Sequence, residues 1–420
     1  MSWHIKVKWG AGAVRVIFTV NGPGEVSGWL YPLSRALKAL CPTADLTVCL
    51  LPCVFATGAE KRVIAELGTI DRVLDRKESL RLILTGRRPE GWSGGAPVLV
   101  FHLGGEVALT VLLARRLGAS LYAYAERPLP WSFLFRRVFY NGLNRLPQRI
   151  ASQADLLVGE LMVDAARLRR APEQVGAKPG MRTVALYPGS REYLAEPLLP
   201  YYAFVVEALA AKRPQTRWLI ARADYVSMSL LRNLPPPPEG HRWPALALRF
   251  GEDERQAWLE TPAGVRIEIA SAAEAMARAD LALTIPGTNT GELAAAGVPM
   301  VVVLPTYLGH MVPLPGLAGH LGRLPGVGRA LKTVFGHRML RRLPLLAQPN
   351  RRAGRMIVAE LVGEGLNSRI EAELLALIDG DNTALSLALA KAMGRAGAAE
   401  RLSAEIAAFF GTQNAQGSRL

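Results

Sequence analysis

Cysteine is scarce. Cys41, Cys49 and Cys53 are the only three in 420 residues. Three thiols cannot build the disulfide framework of a secreted scaffold. Cys49 and Cys53 have no second ligand pair nearby, which excludes a zinc ribbon and leaves buried strand-end thiols. Met1–Gly12 carries two lysines but no apolar stretch, so no secretion signal is expected and a reducing, cytoplasmic address follows. No strand-to-helix turn ends in Gly-Lys-Ser/Thr, which excludes a P-loop, and none carries the dinucleotide fingerprint. There is no fixed-period repeat.

Acid is missing from two long windows. Between Glu292 and Glu360 there is no Asp or Glu, yet Arg323, Arg329, Lys332, Arg338, Arg341, Arg342, Arg351, Arg352 and Arg355 all fall there. Between Glu126 and Asp155 five arginines again meet no acid, interleaved with Trp131, Phe133, Phe135, Phe139 and Tyr140. Over the whole chain 50 Lys+Arg face 35 Asp+Glu, a formal charge of +15. Basic residues among aromatics suit an anionic surface, with an anionic lipid headgroup favoured over nucleic acid. Leu293–Gly322 lacks Asp, Glu, Lys and Arg, but Pro299, Pro305, Pro313 and Pro315 interrupt it. It therefore reads as helix end plus strand, with a second half able to touch a membrane without crossing it.

Half the residues are hydrophobic and 20% are charged, which excludes a mainly disordered chain, and the length suggests two domains. Ala13–Val20 is an apolar run that ends in Asn21-Gly22-Pro23-Gly24-Glu25-Val26-Ser27-Gly28, before a helix from about Trp29 to Leu40. Strand, glycine turn and helix open a doubly wound α/β domain. Further strands are expected at Leu46–Leu51, Val98–His102, Ser120–Ala125 and Asp155–Gly159, with a helix at Val107–Leu117. The segment 171–181, rich in proline and glycine, is the linker. The pattern restarts with a strand at Thr183–Tyr187 and a helix from Leu199 to about Lys212. More strands follow at Arg217–Ala221, Val265–Ile269 and Leu281–Ile285, then a helix from Glu292 and a second one over Met356–Val362. Asn382–Phe410 reads as a terminal helical segment that packs back on the first domain.

Four turns carry chemistry. Pro188-Gly189-Ser190-Arg191 places a glycine, a helix start and a planar guanidinium together, which suits an anion. Gly287-Thr288-Asn289-Thr290-Gly291-Glu292 offers backbone and hydroxyl donors for a diphosphate, with Glu292 able to accept from ribose hydroxyls. An ordinary capped helix would use the same residues. In the first domain, Glu25 in its glycine loop and Glu106 after Gly104-Gly105 each put a carboxylate at a strand's C-terminal end. Such a group can act as a general base, or simply favour a helix N-terminus.

Taken as an ordered series, these turns say more. Gly24-Glu25-x-Ser27-Gly28, Gly159-x-x-Met162-x-Asp164, Pro188-Gly189-Ser190-Arg191, Gly287-Thr288-x-Thr290-x-Glu292, Pro299-Met300-Val301-Val302 and Pro349-Asn350-x-x-Ala353-Gly354-Arg355-x-x-Val358-x-Glu360-Leu361 follow one another. The series resembles lipid-A-disaccharide synthase, an inverting glycosyltransferase of the GT-B class. It spans about residues 13–380 and is strongest over 183–300 and 349–362. The resemblance implies two Rossmann-like doubly wound domains facing a cleft, 1–170 on the acceptor side and 182–380 on the nucleotide-sugar side, with C-terminal helices over 381–420. It implies a UDP-sugar donor, a lipid-linked acceptor at the inner face of the cell membrane, and no metal or other cofactor. It carries over Gly189, Ser190, Arg191, Gly287, Thr288, Thr290, Glu292 and Asn350 as donor-site residues, and Gly24 and Ser27 of the first-domain loop are expected to bind substrate as well.

The departures lie mainly in the first domain. Trp29 stands where the resembled family has aspartate, Leu103 where it has its catalytic aspartate, Glu160 where it has histidine, and Pro286 where it has serine. Residues 305–347 are longer and differently composed. The donor half is better kept, so the expected enzyme is a related glycosyltransferase with a changed acceptor. Its base is expected at Glu106, then Glu25, with His102 third. A UDP-sugar epimerase of the same architecture and a nucleotide-sugar-binding protein without turnover are the alternatives.

Overall fold

The computed structural model describes residues 14–53, 58–92, 97–142, 146–169, 181–237, 243–306 and 345–417. The linker expected at 171–181 and the apolar and basic stretch 307–344 lie outside these residues, Met181 excepted. The chain forms two compact units. One comprises Met1–Ala165 with Gly394–Leu420, the other Ala166–Met393.

The first unit is built on six parallel strands: β1 (Arg15–Val20), β2 (Asp45–Leu50), β3 (Arg72–Leu74), β4 (Val98–His102), β5 (Ser120–Ala125) and β6 (Arg137–Tyr140). They lie in the order β3-β2-β1-β4-β5-β6. Ile17, Val100, Leu121, Ala123 and Val138 join Leu82, Leu113 and Phe135 in a core on one face. The order reverses direction between β1 and β4, and an open α/β sheet forms its crevice at the strand ends beside such a reversal.

The second unit holds β7 (Thr183–Tyr187), β8 (Arg217–Arg222), β9 (Arg249–Glu252), β10 (Ala257–Glu260), β11 (Arg266–Ser271), β12 (Leu281–Thr284), β13 (Met300–Pro305) and β14 (Ala359–Gly363). Their order is β14-β13-β12-β7-β8-β11-β10-β9. The strands are parallel except for β9 and β10, which add an antiparallel edge. Here the reversal falls between β7 and β12. The helix Glu192–Lys212 is long and apolar enough to cross a membrane. Yet Leu198, Leu199, Tyr202, Val205, Val206 and Leu209 are buried in the core over this sheet, as in a core helix of an α/β unit.

Several elements differ from the sequence reading. The Glu192–Lys212 helix starts seven residues before Leu199, running through Pro197 and Pro200. Burial of Ala195 and Leu198 in its first turns favours this early start. Asp155–Gly159 is no regular strand but a 3₁₀ turn, Ala154–Leu156, followed by one bridge from Leu157 to Tyr140. The helix expected at Met356–Val362 is β14. The helix forms one step earlier, at Gln348–Ala353, where Pro349 suits the first turn and Gly354 (φ 67°) closes it. The short strands β3, β6, β9 and β10 carry too few residues for a clear period. The terminal helix is two, Thr383–Met393 and Ala398–Gly417, broken at Gly394 and Gly397 with φ of 84° and 96°. The first packs on the helices Thr288–Ala295 and Gln348–Ala353 of the second unit. The second packs on the helix Tyr31–Leu40 of the first.

Candidate functional site

In the first unit the loop after β1 coils at once. Pro23–Glu25 forms a helical turn with proline in its first turn, Val26–Leu30 a π-turn, and Tyr31–Leu40 the helix proper. This winding turns the Glu25 side chain back over the strand ends. A Cβ on Gly104 would lie 2.8 Å from Glu25 Cγ, and one on Gly22 only 2.7 Å from its Oε2. Glycine at both positions leaves the carboxylate room to rest between the ends of β1 and β4. Leu103 and Gly104 both donate their N–H groups to the Thr19 carbonyl, at 3.1 and 3.0 Å. Gly105 (φ 92°) then turns the chain, with no room for a Cβ beside Leu51. Glu106 follows as the N-cap residue of Val107–Leu117, exposed and without a side-chain cap bond.

These facts reorder the base candidates. Glu25 occupies the reversal point of the sheet, whereas Glu106 projects into solvent. His102 is buried and spent internally, its Nδ1 within 2.9 Å of Thr110 Oγ1 and 3.3 Å of Thr19 Oγ1. Burial pushes its pKa down to about 4, so the ring is neutral at pH 7. Leu103 is buried and inert. Gly24 and Ser27 share the coiled loop with Glu25 and are half-buried.

A second first-unit cluster was missed from sequence. Glu160, fully buried, accepts hydrogen bonds from Tyr124 Oη (3.2 Å), Asn141 Nδ2 (3.0 Å) and its own neighbour Met162 N (3.2 Å). Trp29 stands edge-on to Tyr124, centroids 5.4 Å apart at 79°. Trp29 and Glu160, two departures from the resembled pattern, thus meet on one tyrosine. No linear signal links positions so far apart.

In the second unit the turns after β7 and β12 touch. A Cβ on Gly189 (φ 104°) would come 2.9 Å from Ile285 Cδ1. Arg191 is the N-cap residue of Glu192–Lys212, in extended backbone without a side-chain cap bond. Gly287 precedes the helix Thr288–Ala295 in the same way. Two helix N-termini therefore start from neighbouring strands, an arrangement whose dipoles favour an anion, although Leu194 N and Thr290 N already donate to the Arg191 and Gly287 carbonyls. The helix begins at Thr288, four residues before the start expected at Glu292, so the threonine turn is its first turn. Gly287 is exposed, and Ser190, Arg191 and Thr288 are half-buried.

Three other expected donor-site residues are occupied. Thr290 Oγ1 donates to the Gly287 carbonyl (2.7 Å) and accepts from Gln348 N (3.1 Å). Asn350 Nδ2 donates to the Val358 carbonyl (2.9 Å) and Glu360 Oε1 (2.7 Å), while its Oδ1 accepts from Ile357 N (2.6 Å) and Val358 N (2.9 Å). These four bonds exhaust the amide. Thr290 and Asn350 thus shape the turn instead of facing a ligand. Glu292 is nearly buried and pairs with Arg169 at 2.5 Å. Among the described residues no group of three His, Cys, Asp or Glu could hold a metal ion.

Comparison with known proteins places the chain at a distance from one family. No protein-family profile matches it. It is 28% identical over 257 residues to lipid-A-disaccharide synthase of Granulibacter bethesdensis, covering 61% of this chain and 49% of that protein. With the synthase of Alteromonas mediterranea the figures are 25% over 236 residues, 54% and 50%. The chain spans about half the length of these curated relatives. Among solved structures, the glycosyltransferase SnogD from Streptomyces nogalater superposes with a TM-score of 0.41 at 13% identity, over 95% of this chain and 100% of that one. UDP-GlcNAc 2-epimerase from Methanocaldococcus jannaschii gives 0.45 at 12%, over 94% and 99%. The strand orders themselves define the architecture: two doubly wound α/β units of the GT-B kind, with a long C-terminal helix.

Proposed function

We propose that the chain is an inverting glycosyltransferase that moves a sugar from a UDP-sugar to a lipid-linked acceptor at the cytoplasmic face of a membrane. One observation carries this reading. In each unit the chemistry-bearing turns sit where the strand order reverses, Glu25 in the first and the paired helix starts in the second. In the second unit Arg191, Gly189, Gly287 and Thr288 hold the diphosphate of the donor, and Glu292 serves its ribose. Glu25 takes the proton of the acceptor hydroxyl as that oxygen attacks the anomeric carbon. The bond from that carbon to UDP breaks, and helix N–H groups with Arg191 stabilise the departing diphosphate.

A membrane role rests on the loop between β5 and β6. Phe133 is 81% and Trp131 49% exposed. Trp131 has φ of 54°, a left-handed conformation that bulky residues rarely adopt. Arg127, Arg136 and Arg149 are exposed on the same window. Amphipathic rings among cations fit an anionic headgroup layer.

The buried Leu103 favours a second reading, a protein that binds nucleotide-sugar without turnover. Incubation with a panel of UDP-sugars, with and without a membrane lipid extract, decides. Acceptor-dependent UDP release supports transfer. An isomerised sugar nucleotide means epimerisation, and binding alone means the second reading.

A further inference from the structure

Tyr187 ends β7, on the opposite face from Val184 and Leu186, which enter the core. Across the reversal point it pairs in register with Thr284 of β12. Asn289, in the first turn of Thr288–Ala295, donates to Thr284 Oγ1. The tyrosine ring is 6% exposed, and its hydroxyl has no hydrogen-bond partner among the described residues. The nearby charges are the Glu292 carboxylate and the Arg169 guanidinium, which act on that hydroxyl in opposite senses. Arg169 and Glu292 form their own pair at 2.5 Å, their side chains 14% and 10% exposed.

A buried hydroxyl left unpaired is destabilising, and phenylalanine would fill the same space without that cost. A carboxylate beside a diphosphate site is also unfavourable unless a cation cancels it. Both oddities resolve if a ligand completes the cluster. Resting on the nucleotide-sugar reading above, we propose that the Tyr187 hydroxyl is a ligand-binding group, held beside a Glu292 that Arg169 positions and neutralises, and that the cluster reads the vicinal diol of a ribose. Glu292 accepts from one hydroxyl, and Tyr187 donates to the oxygen of the other. Arg169 keeps the carboxylate from repelling the diphosphate.

Calorimetric titration of the full chain with UDP and with 2′,3′-dideoxy-UDP tests this. Tyr187→Phe should weaken UDP about tenfold, the scale of one hydrogen bond to a charged or preorganised group. It should leave the dideoxy analogue at wild-type affinity, with the melting temperature of the free protein unchanged or raised. Arg169→Gln should weaken UDP more than uridine, because the exposed charge of Glu292 then meets the diphosphate, and Arg169→Lys should restore most of the loss. Wild-type UDP affinity in Tyr187→Phe, or equal losses for both ligands, would overturn the assignment. Failure of the wild-type protein to bind UDP would overturn the nucleotide-sugar reading with it.

Discussion

Arg191 is the residue whose position invites the simplest test. It caps the N-terminus of a 21-residue helix, two residues after Gly189, where φ of 104° and the nearby Ile285 leave no room for a Cβ. Glu192 directly follows, but the Ser227 hydroxyl and the Ser227 N–H (3.0 Å) both bond to its carboxylate and hold its pKa down. The acid is turned away from the anion position, leaving Arg191 as the adjoining cation. Replacing Arg191 by alanine should weaken UDP binding by about 1.5–3 kcal/mol, the loss of a charged hydrogen bond. Unchanged affinity in calorimetry would remove it from the site. His102 gives a second residue-scale prediction. Its folded pKa, about 4, lies below the ordinary imidazole value of 6.5 because burial disfavours the charged ring. Above that ordinary value neither folded nor unfolded chain binds the proton. As pH falls toward 4 the unfolded chain binds it first, so stability falls across this window and the term is constant below it. Denaturant midpoints measured from pH 7 to 4 should fall less steeply in His102→Asn than in the wild type; parallel slopes would refute the assignment.

At the scale of elements, one carboxylate helps fix the return of the chain to the first unit. Asp164 accepts from Gly397 N (2.6 Å) and Ala399 N (2.7 Å), satisfying donors at the start of Ala398–Gly417. Arg401 Nε donates to the Val158 carbonyl at 2.9 Å, and Leu402, Ile406 and Phe410 are buried. Asp164→Ala should cost about 1–2 kcal/mol, as for loss of a helix N-cap, and should raise hydrogen exchange first in this helix. Uniform exchange across both units would contradict it. The legibility of elements followed from their period and flanks. β4, β5, β7 and Val107–Leu117 carry long apolar runs bounded by glycine or polar turns, and their limits were readable. The strand β14 was not. Met356–Val362 has too few residues to distinguish the two periods, and only the parallel partner β13 makes it a strand. For the site, the glycine turns were readable because glycine reports backbone constraint. The exhaustion of Asn350 by four internal bonds, the Arg169–Glu292 pair and the Glu160 cluster were not. The last two depend on residues far apart in the chain, and the partners of Asn350, seven to ten residues on, come within reach only when the chain turns into β14.

For the whole molecule, the formal charge of +15 makes the proposed membrane role testable. The exposed Trp131 and Phe133 with Arg127 and Arg149 predict binding to anionic liposomes at low salt. That attraction should decline as salt rises, because charges are screened over about 10 Å at ~0.1 M. Double replacement of Trp131 and Phe133 by serine should weaken sedimentation with such vesicles, and equal binding to neutral and anionic vesicles would count against the membrane role. The central claim is transfer with Glu25 as base, and one comparison tests it most directly: acceptor-dependent UDP release by the wild type, Glu25→Gln and Glu106→Gln. General-base catalysis contributes about 10²–10⁴-fold. The account predicts intact UDP binding in both variants, turnover at least ~10²-fold lower in Glu25→Gln, and a much smaller loss in Glu106→Gln. Full activity in Glu25→Gln, or no UDP release from the wild type with any acceptor, would contradict it.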